Sequence, residues 1–176
     1  NSDPCGYRTV MTVKLAEKLY LKSDLTKKIL EKDLKYIRPK EVDLLALLES
    51  NTIDYIFLYK SVAIQHGLKY LELPQEINLS NITFDELYKT VSVDVKGKTP
   101  NIFITMNGEP MVYGLTIPKN APNPQLAIEF VKYFLEANGG QSIMKRMGQT
   151  AIVPSATASY DSIPELLKGF ALRKGI

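Results

Sequence analysis

Residues Asp54-Tyr55-Ile56-Phe57-Leu58-Tyr59 place aromatic or aliphatic side chains at successive positions, so after Asp54 the segment has no polar face to turn toward water. Such a stretch suits a strand whose sheet is covered by helices on both sides, the arrangement of α/β folds. The preceding residues agree. Arg38-Pro39-Lys40-Glu41 predicts a helix opening with Pro39 at its start, Val42, Leu44, Leu45, Leu47 and Leu48 give it a broad apolar face, and it stops near Ser50-Asn51. Helix, short connector and doubly apolar strand together predict the α/β class.

Other segments extend the alternation. Asp3 is a suitable N-cap and Pro4 a suitable first helical residue, followed by Val10, Met11, Ala16 and Leu19, which predicts a helix to about Leu21. Leu25 to Lys35 reads as a second, more polar helix. Ser61 to Gln65 reads as a short helix, and Tyr70 to Leu73 as a small strand. Ile102 to Met106 and Met111 to Ile117 read as two strands around the turn Asn107-Gly108-Glu109-Pro110. Toward the end, Asn123 and Pro124 open a helix through Ala127, Ile128, Val131, Phe134 and Leu135, which Asn138-Gly139-Gly140 closes. A shorter helix follows through Ile143, Met144 and Met147, and Pro164 opens a last one through Leu166, Leu167 and Phe170.

Composition narrows the function classes. With 45% hydrophobic residues in 176, the chain can bury a core, as one domain or two modest lobes. Lys and Arg number 22 against 19 acids, interspersed as in the run from Lys27 to Lys35, so there is no basic footprint for nucleic acid. No apolar run is long enough to span a bilayer. A single cysteine makes no internal disulfide and no Cys-rich zinc site. The sequence has no secretory leader, and Asn1 in the place of an initiator Met suggests a chain that began further upstream.

Enzyme signatures are sparse: there is no Gly-rich phosphate loop, no paired metal-binding histidines and no Gly-x-Ser-x-Gly elbow. Cys5 with His66 is a conceivable nucleophile pair, but His66 before Gly67 suits a helix C-terminus. Three segments bring polar groups to the edge of the framework, where ligands of open sheets bind. They are Asp3-Pro4-Cys5-Gly6-Tyr7-Arg8, Arg38-Pro39-Lys40-Glu41-Val42 and Asp54 to Ala63. The first two are helix N-termini with unpaired N–H groups, and the third carries the Tyr59 phenol as a hydrogen-bond donor.

With these segments, and with Tyr113-Gly114-Leu115-Thr116-Ile117-Pro118-Lys119-Asn120-Ala121-Pro122-Asn123 and Gly148-Gln149-Thr150-Ala151-Ile152-Val153-Pro154, the sequence resembles the C-terminal half of the archaeal-type tungstate and molybdate binding proteins. These are receptors that feed oxyanions to an ABC importer. The resemblance runs through nearly the whole chain and departs between Leu25 and Tyr36, where relatives tend to be longer. It implies a type II periplasmic-binding-protein lobe, with helices on both faces of a mixed sheet. Residues 1–117 would form the second lobe, and 118–176 a helical segment returning to pack on a first lobe that this chain largely lacks.

By the same resemblance, Asp3 and Glu41 are the carboxylates that reach the tungsten or molybdenum centre, raising it toward six-coordination. Tyr59 and the Cys5 backbone N–H donate to oxyanion oxygens, and the Cys5 thiol is incidental. The protein would be no enzyme and would need no cofactor, the oxyanion being cargo. Its partner would be an ABC transporter permease, its location the extracellular face of the membrane, and its membrane association a matter of an N-terminal anchor alone.

The implied chemistry is consistent in one form only, since two carboxylates facing a dianion repel it if hydrogen bonds are the sole attraction. Direct coordination reverses the sign. Tungsten(VI) and molybdenum(VI) are large, hard centres that accept further oxygen ligands, whereas the sulfur of sulfate does not. Each residue also has an ordinary structural use: Asp3 as a cap, Glu41 as an acid favoured by a helix dipole, Tyr59 as a packed rim aromatic. The alternatives are a receptor for sulfate or phosphate, a cytosolic oxyanion-sensing regulatory domain of the same fold, and an enzyme using Cys5.

Overall fold

A computed structural model of the chain describes residues 3–32, 34–99 and 101–175. Asn1, and Asp33 within the expected helix Leu25 to Lys35, lie outside the described residues. In chain order the helices are α1 (Pro4–Leu19), α2 (Leu25–Glu31), α3 (Leu45–Glu49), α4 (Lys60–Gln65), α5 (Asp85–Tyr88), α6 (Pro124–Leu135) and α7 (Gly140–Arg146). The strands are β1 (Ser92–Lys96), β2 (Phe103–Asn107), β3 (Ser155–Thr157) and β4 (Ala171–Arg173). These elements pack into two units: the chain up to Tyr59 with Tyr70–Val112, and Lys60–Lys69 with the chain from Tyr113 onward.

In the first unit, α1 starts where the sequence predicts. Asp3 is extended at φ −65° and ψ 129°, its carboxylate accepts from the Gly6 N–H at 3.2 Å, and Pro4 is the first helical residue. The helix ends at Leu19, and Leu21 beyond it is left-handed at φ 50°. Met11 and Leu15, one turn apart, join Ile77, Leu79, Tyr88 and Val91 in a core that excludes water. Each large side chain buried there contributes about 1.5–3 kcal/mol. Tyr88 is fully buried, and its hydroxyl donates to the Gln75 carbonyl. Along the other flank, Lys14 and Lys18 donate to the carbonyls of Ser92 (2.6 Å) and Thr90 (2.7 Å), fastening α1 to the approach of β1. β1 pairs with β2 antiparallel, from Ser92 opposite Asn107 to Lys96 opposite Phe103. Gly108 follows this hairpin at a position where only glycine fits, since a Cβ there would sit 2.1 Å from the Tyr88 carbonyl oxygen.

Several expected strands and helices differ. Among the described residues, Asp54 to Tyr59 and Tyr70 to Leu73 belong to no strand. Apolarity on both faces creates a demand for cover, but a ladder also needs a neighbour offering N–H and C=O groups, and neither segment pairs with one among the described residues. Tyr55 and Leu71 accordingly stand 82% and 81% exposed. Met111 to Ile117 does not pair with β2, whose partner is β1; the Met111 N–H donates instead to the Leu79 carbonyl at 2.8 Å, which leads the chain away.

The helix expected from Pro39 begins at Glu41, as a 3-10 turn Glu41–Leu44 that runs into α3. A reciprocal pair tightens that turn: the Lys40 N–H donates to the Asp43 carboxylate (3.3 Å) and the Asp43 N–H to the Lys40 carbonyl (3.2 Å). Of its expected apolar face only Leu45 is fully buried. The polar stretch Leu25 to Lys35 divides into α2 and a 3-10 turn Leu34–Tyr36. Helix and strand thus both occur, but in place of one mixed sheet covered on both faces the described residues hold two separate two-stranded sheets.

In the second unit, the Asn123 side chain accepts from the Leu126 N–H at 3.3 Å and Pro124 opens α6, as its sequence predicts. Ala127, Ile128, Val131, Phe134 and Leu135 are half-buried, while Leu126, Phe130 and Tyr133 are exposed. Gly140 opens α7 against α6, where a Cβ would sit 2.6 Å from the Phe134 Cα. Pro164 precedes a 3-10 stretch Glu165–Phe170 rather than an α-helix, with Leu167 buried beneath it. β3 and β4 pair in parallel.

Candidate functional site

The residues singled out from sequence come from three places in the first unit. Asp3 caps α1, Cys5 is the second residue of that helix, Glu41 is the first residue of the 3-10 turn, and Tyr59 ends the extended stretch before α4. An Asp3 oxygen, the Cys5 sulfur and a Glu41 oxygen all lie within 4.8 Å of one another. Two oxygens about 2.1 Å from a shared hard centre are at most about 4.2 Å apart, so shifts of tenths of an ångström would let both carboxylates bond one atom. Asp3 and Glu41 are half-buried, and Cys5 is buried.

Local structure explains the convergence. Capping draws the Asp3 carboxylate back over the first turn of α1, and as the second helical residue Cys5 has an N–H with no acceptor inside the helix. The Lys40–Asp43 pair fixes the turn that presents Glu41. The Cys5 thiol lies 3.7 Å from the Phe57 carbonyl, tying α1 to the stretch that carries Tyr59.

Electrostatics differentiates these groups. Burial pushes the Cys5 thiol up to about 12 from 9.0, reinforced by its bond to Glu41 and by the charges of Glu41 and Asp3. A reactive thiol needs the reverse, a cationic surrounding that favours thiolate, whereas the surroundings of Cys5 favour its protonated form. Its neighbours therefore argue against the nucleophile alternative. Burial likewise raises the Tyr59 phenol, and a hydrogen bond from Arg8 opposes that rise.

Arg8 received no individual role in the sequence reading. One turn beyond Asp3 and Cys5, its Nη1 donates to the Tyr59 hydroxyl oxygen at 2.9 Å. The guanidinium lies 5.6 Å from the Tyr7 ring centre, and Glu109 attracts it. The signal lay in the Asp3-to-Arg8 motif, where a cation on the first turns of a helix runs against the dipole preference and calls for a specific partner.

The arrangement brings two carboxylates together at a helix N-terminus and holds a phenol by a cation. That set of groups suits a small polar solute. Sequence comparison agrees. The family described as bacterial extracellular solute-binding protein matches residues 1–149, and the chain belongs to that family. It is 48% identical over 171 residues to an uncharacterized solute-binding protein of Petrotoga mobilis, covering 97% of this chain and 53% of the relative. It is 41% identical over 189 residues to the molybdate/tungstate-binding protein WtpA of Pyrococcus abyssi, covering 96% and 53%. With the protein of that name from Thermococcus kodakarensis the identity is 38% over 190 residues, covering 96% and 51%. The chain spans about half the length of the curated relatives it matches. No helix among the described residues is long and apolar enough to cross a membrane.

Proposed function

We propose that this chain is part of an extracytoplasmic substrate-binding protein that captures tungstate or molybdate between two lobes and delivers it to the permease of an ABC importer. The observation that carries this reading is the meeting of the Asp3 and Glu41 carboxylates at one point beside the first turn of α1. Both bond the tungsten or molybdenum centre, while Tyr59 and the Cys5 N–H donate to its oxygens. The pair would repel a plain dianion, so coordination of the metal atom is what makes this acidic site attractive. The protein transports its oxyanion unchanged, without catalysis and without a cofactor.

In the same reading the fold is of the type II binding-protein kind. Residues 1–117 belong to the second lobe and 118–176 return to the first. The apolar row Leu126, Phe130 and Tyr133, exposed on α6, supports a helix that packs on something further. The location is the extracellular face of the membrane, with attachment through an N-terminal anchor.

Calorimetry on the full-length protein tests the reading. Tungstate should bind with the same affinity in excess sulfate as without it. Displacement by sulfate would mean recognition by hydrogen bonds alone and would overturn the coordination model.

A further inference from the structure

We infer that Arg8 is a positioning residue: it accounts for one side of the Tyr59 hydroxyl, so that the phenol proton is directed away from Arg8 and toward the bound oxyanion. This rests on the reading of the site given above and deepens it. A phenol has one proton and can also accept, whereas a guanidinium only donates. At 2.9 Å the Tyr59 oxygen is therefore the acceptor from Arg8 Nη1, and its own proton must point elsewhere. Cys5 and Glu41, both members of the cluster where the oxyanion would sit, also act electrostatically on the Tyr59 phenol. A proton directed that way meets an anion oxygen when the site is filled.

Arg8 is itself held. The Tyr7 ring lies 5.6 Å from its guanidinium on one side, the Tyr59 ring 6.0 Å on another, and Glu109 attracts its charge. A cation so placed polarises the phenol and strengthens the bond the phenol donates. A lone tyrosine would be free to turn its hydroxyl proton to any direction about the C–O bond; with Arg8 in place, the proton is turned away from the guanidinium before the ligand arrives.

The test is a double-mutant cycle on the full-length protein, with tungstate affinity measured for wild type, Arg8→Gln, Tyr59→Phe and the pair. Each single change should weaken binding roughly tenfold, the effect of one hydrogen bond to a charged group. The double change should be no worse than Tyr59→Phe, because Arg8 has nothing left to orient. Tungstate should also perturb the tyrosine absorption band of wild type, less in Arg8→Gln and not at all in Tyr59→Phe.

Costs that add in the double variant would mean that Arg8 touches the ligand or merely stabilises the fold, and would overturn the inference. An Arg8→Gln protein that binds like wild type would overturn it too. Should Arg8→Gln fail to fold, Arg8→Lys enters the same cycle with the same outcomes. A wild type that does not bind tungstate brings down the reading of the site along with the role of Arg8. A wild type that binds, with additive costs, removes the role of Arg8 alone.

Discussion

The first turn of α1 and its middle turns belong to one helix and carry opposite burdens. In the middle, Met11, Val13 and Leu15 are 1–2% exposed, and Met11 and Leu15 pack with Ile77, Leu79, Tyr88 and Val91. At the start, Asp3 and Cys5 place polar atoms beside Glu41, and Arg8 donates to Tyr59. The difference teaches where the site draws its rigidity. The apolar area buried one and two turns away anchors the helix independently of those polar groups. Stability and ligand affinity should therefore be separable along a single helix.

The largest effect that could break this separation lies in the core. Leu15→Ala should lower the unfolding free energy by about 2–5 kcal/mol in a urea titration. A loss well below that range would mean that the middle of α1 is not what anchors it. Next comes Glu41→Gln, which would remove the proposed charged oxygen ligand, half-buried at the start of the 3-10 turn. It should cost at least about 100-fold in tungstate affinity by calorimetry, with the melting temperature unchanged.

Asp3 sharpens the comparison because it serves both sides. Asp3→Asn keeps a good capping oxygen and should cost roughly tenfold in affinity at constant stability, whereas Asp3→Ala should also lose about 1 kcal/mol of stability with the cap. Wild-type binding by Asp3→Asn would reduce Asp3 to a cap. The smallest effect belongs to the thiol: Cys5→Ala should leave tungstate affinity unchanged. The folded-state value for Cys5, about 12, lies above its ordinary 9.0, so the thiol's contribution to stability is complete below 9 and declines as pH rises from there toward 12. Native protein should accordingly resist iodoacetamide up to about pH 9 and react on unfolding.

What was legible in the sequence follows the range of the forces involved. Asp3-Pro4 and Asn123-Pro124 opened their helices as expected, because a cap is satisfied by N–H groups three residues away. Asp54 to Tyr59 looked like a buried strand and is not one, because a ladder depends on a neighbour that the segment's own residues do not specify. The hairpin partner of β2 went unread although Ser92-Val93-Asp94-Val95-Lys96 alternates with the period of a strand; Met111 to Ile117, nearer across a turn, carried the stronger apolar signal.

The candidate site divides in the same way. That Asp3 and Cys5 share the first turn of a helix could be read from Asp3-Pro4-Cys5 itself. That Glu41 meets them could not be read from spacing and came from the family resemblance, since nothing local links residue 3 to residue 41. The pairing of Arg8 with Tyr59 spans 51 residues and emerges only from the folded chain.

The account depends most on whether carboxylate oxygens bond the metal atom itself. X-ray absorption at the tungsten edge, on full-length protein loaded with tungstate, measures this directly. The account predicts a tungsten centre expanded beyond its four oxo ligands by oxygens that disappear in Glu41→Gln and Asp3→Asn. A tetrahedral tungstate, unchanged between wild type and the two variants, would contradict it.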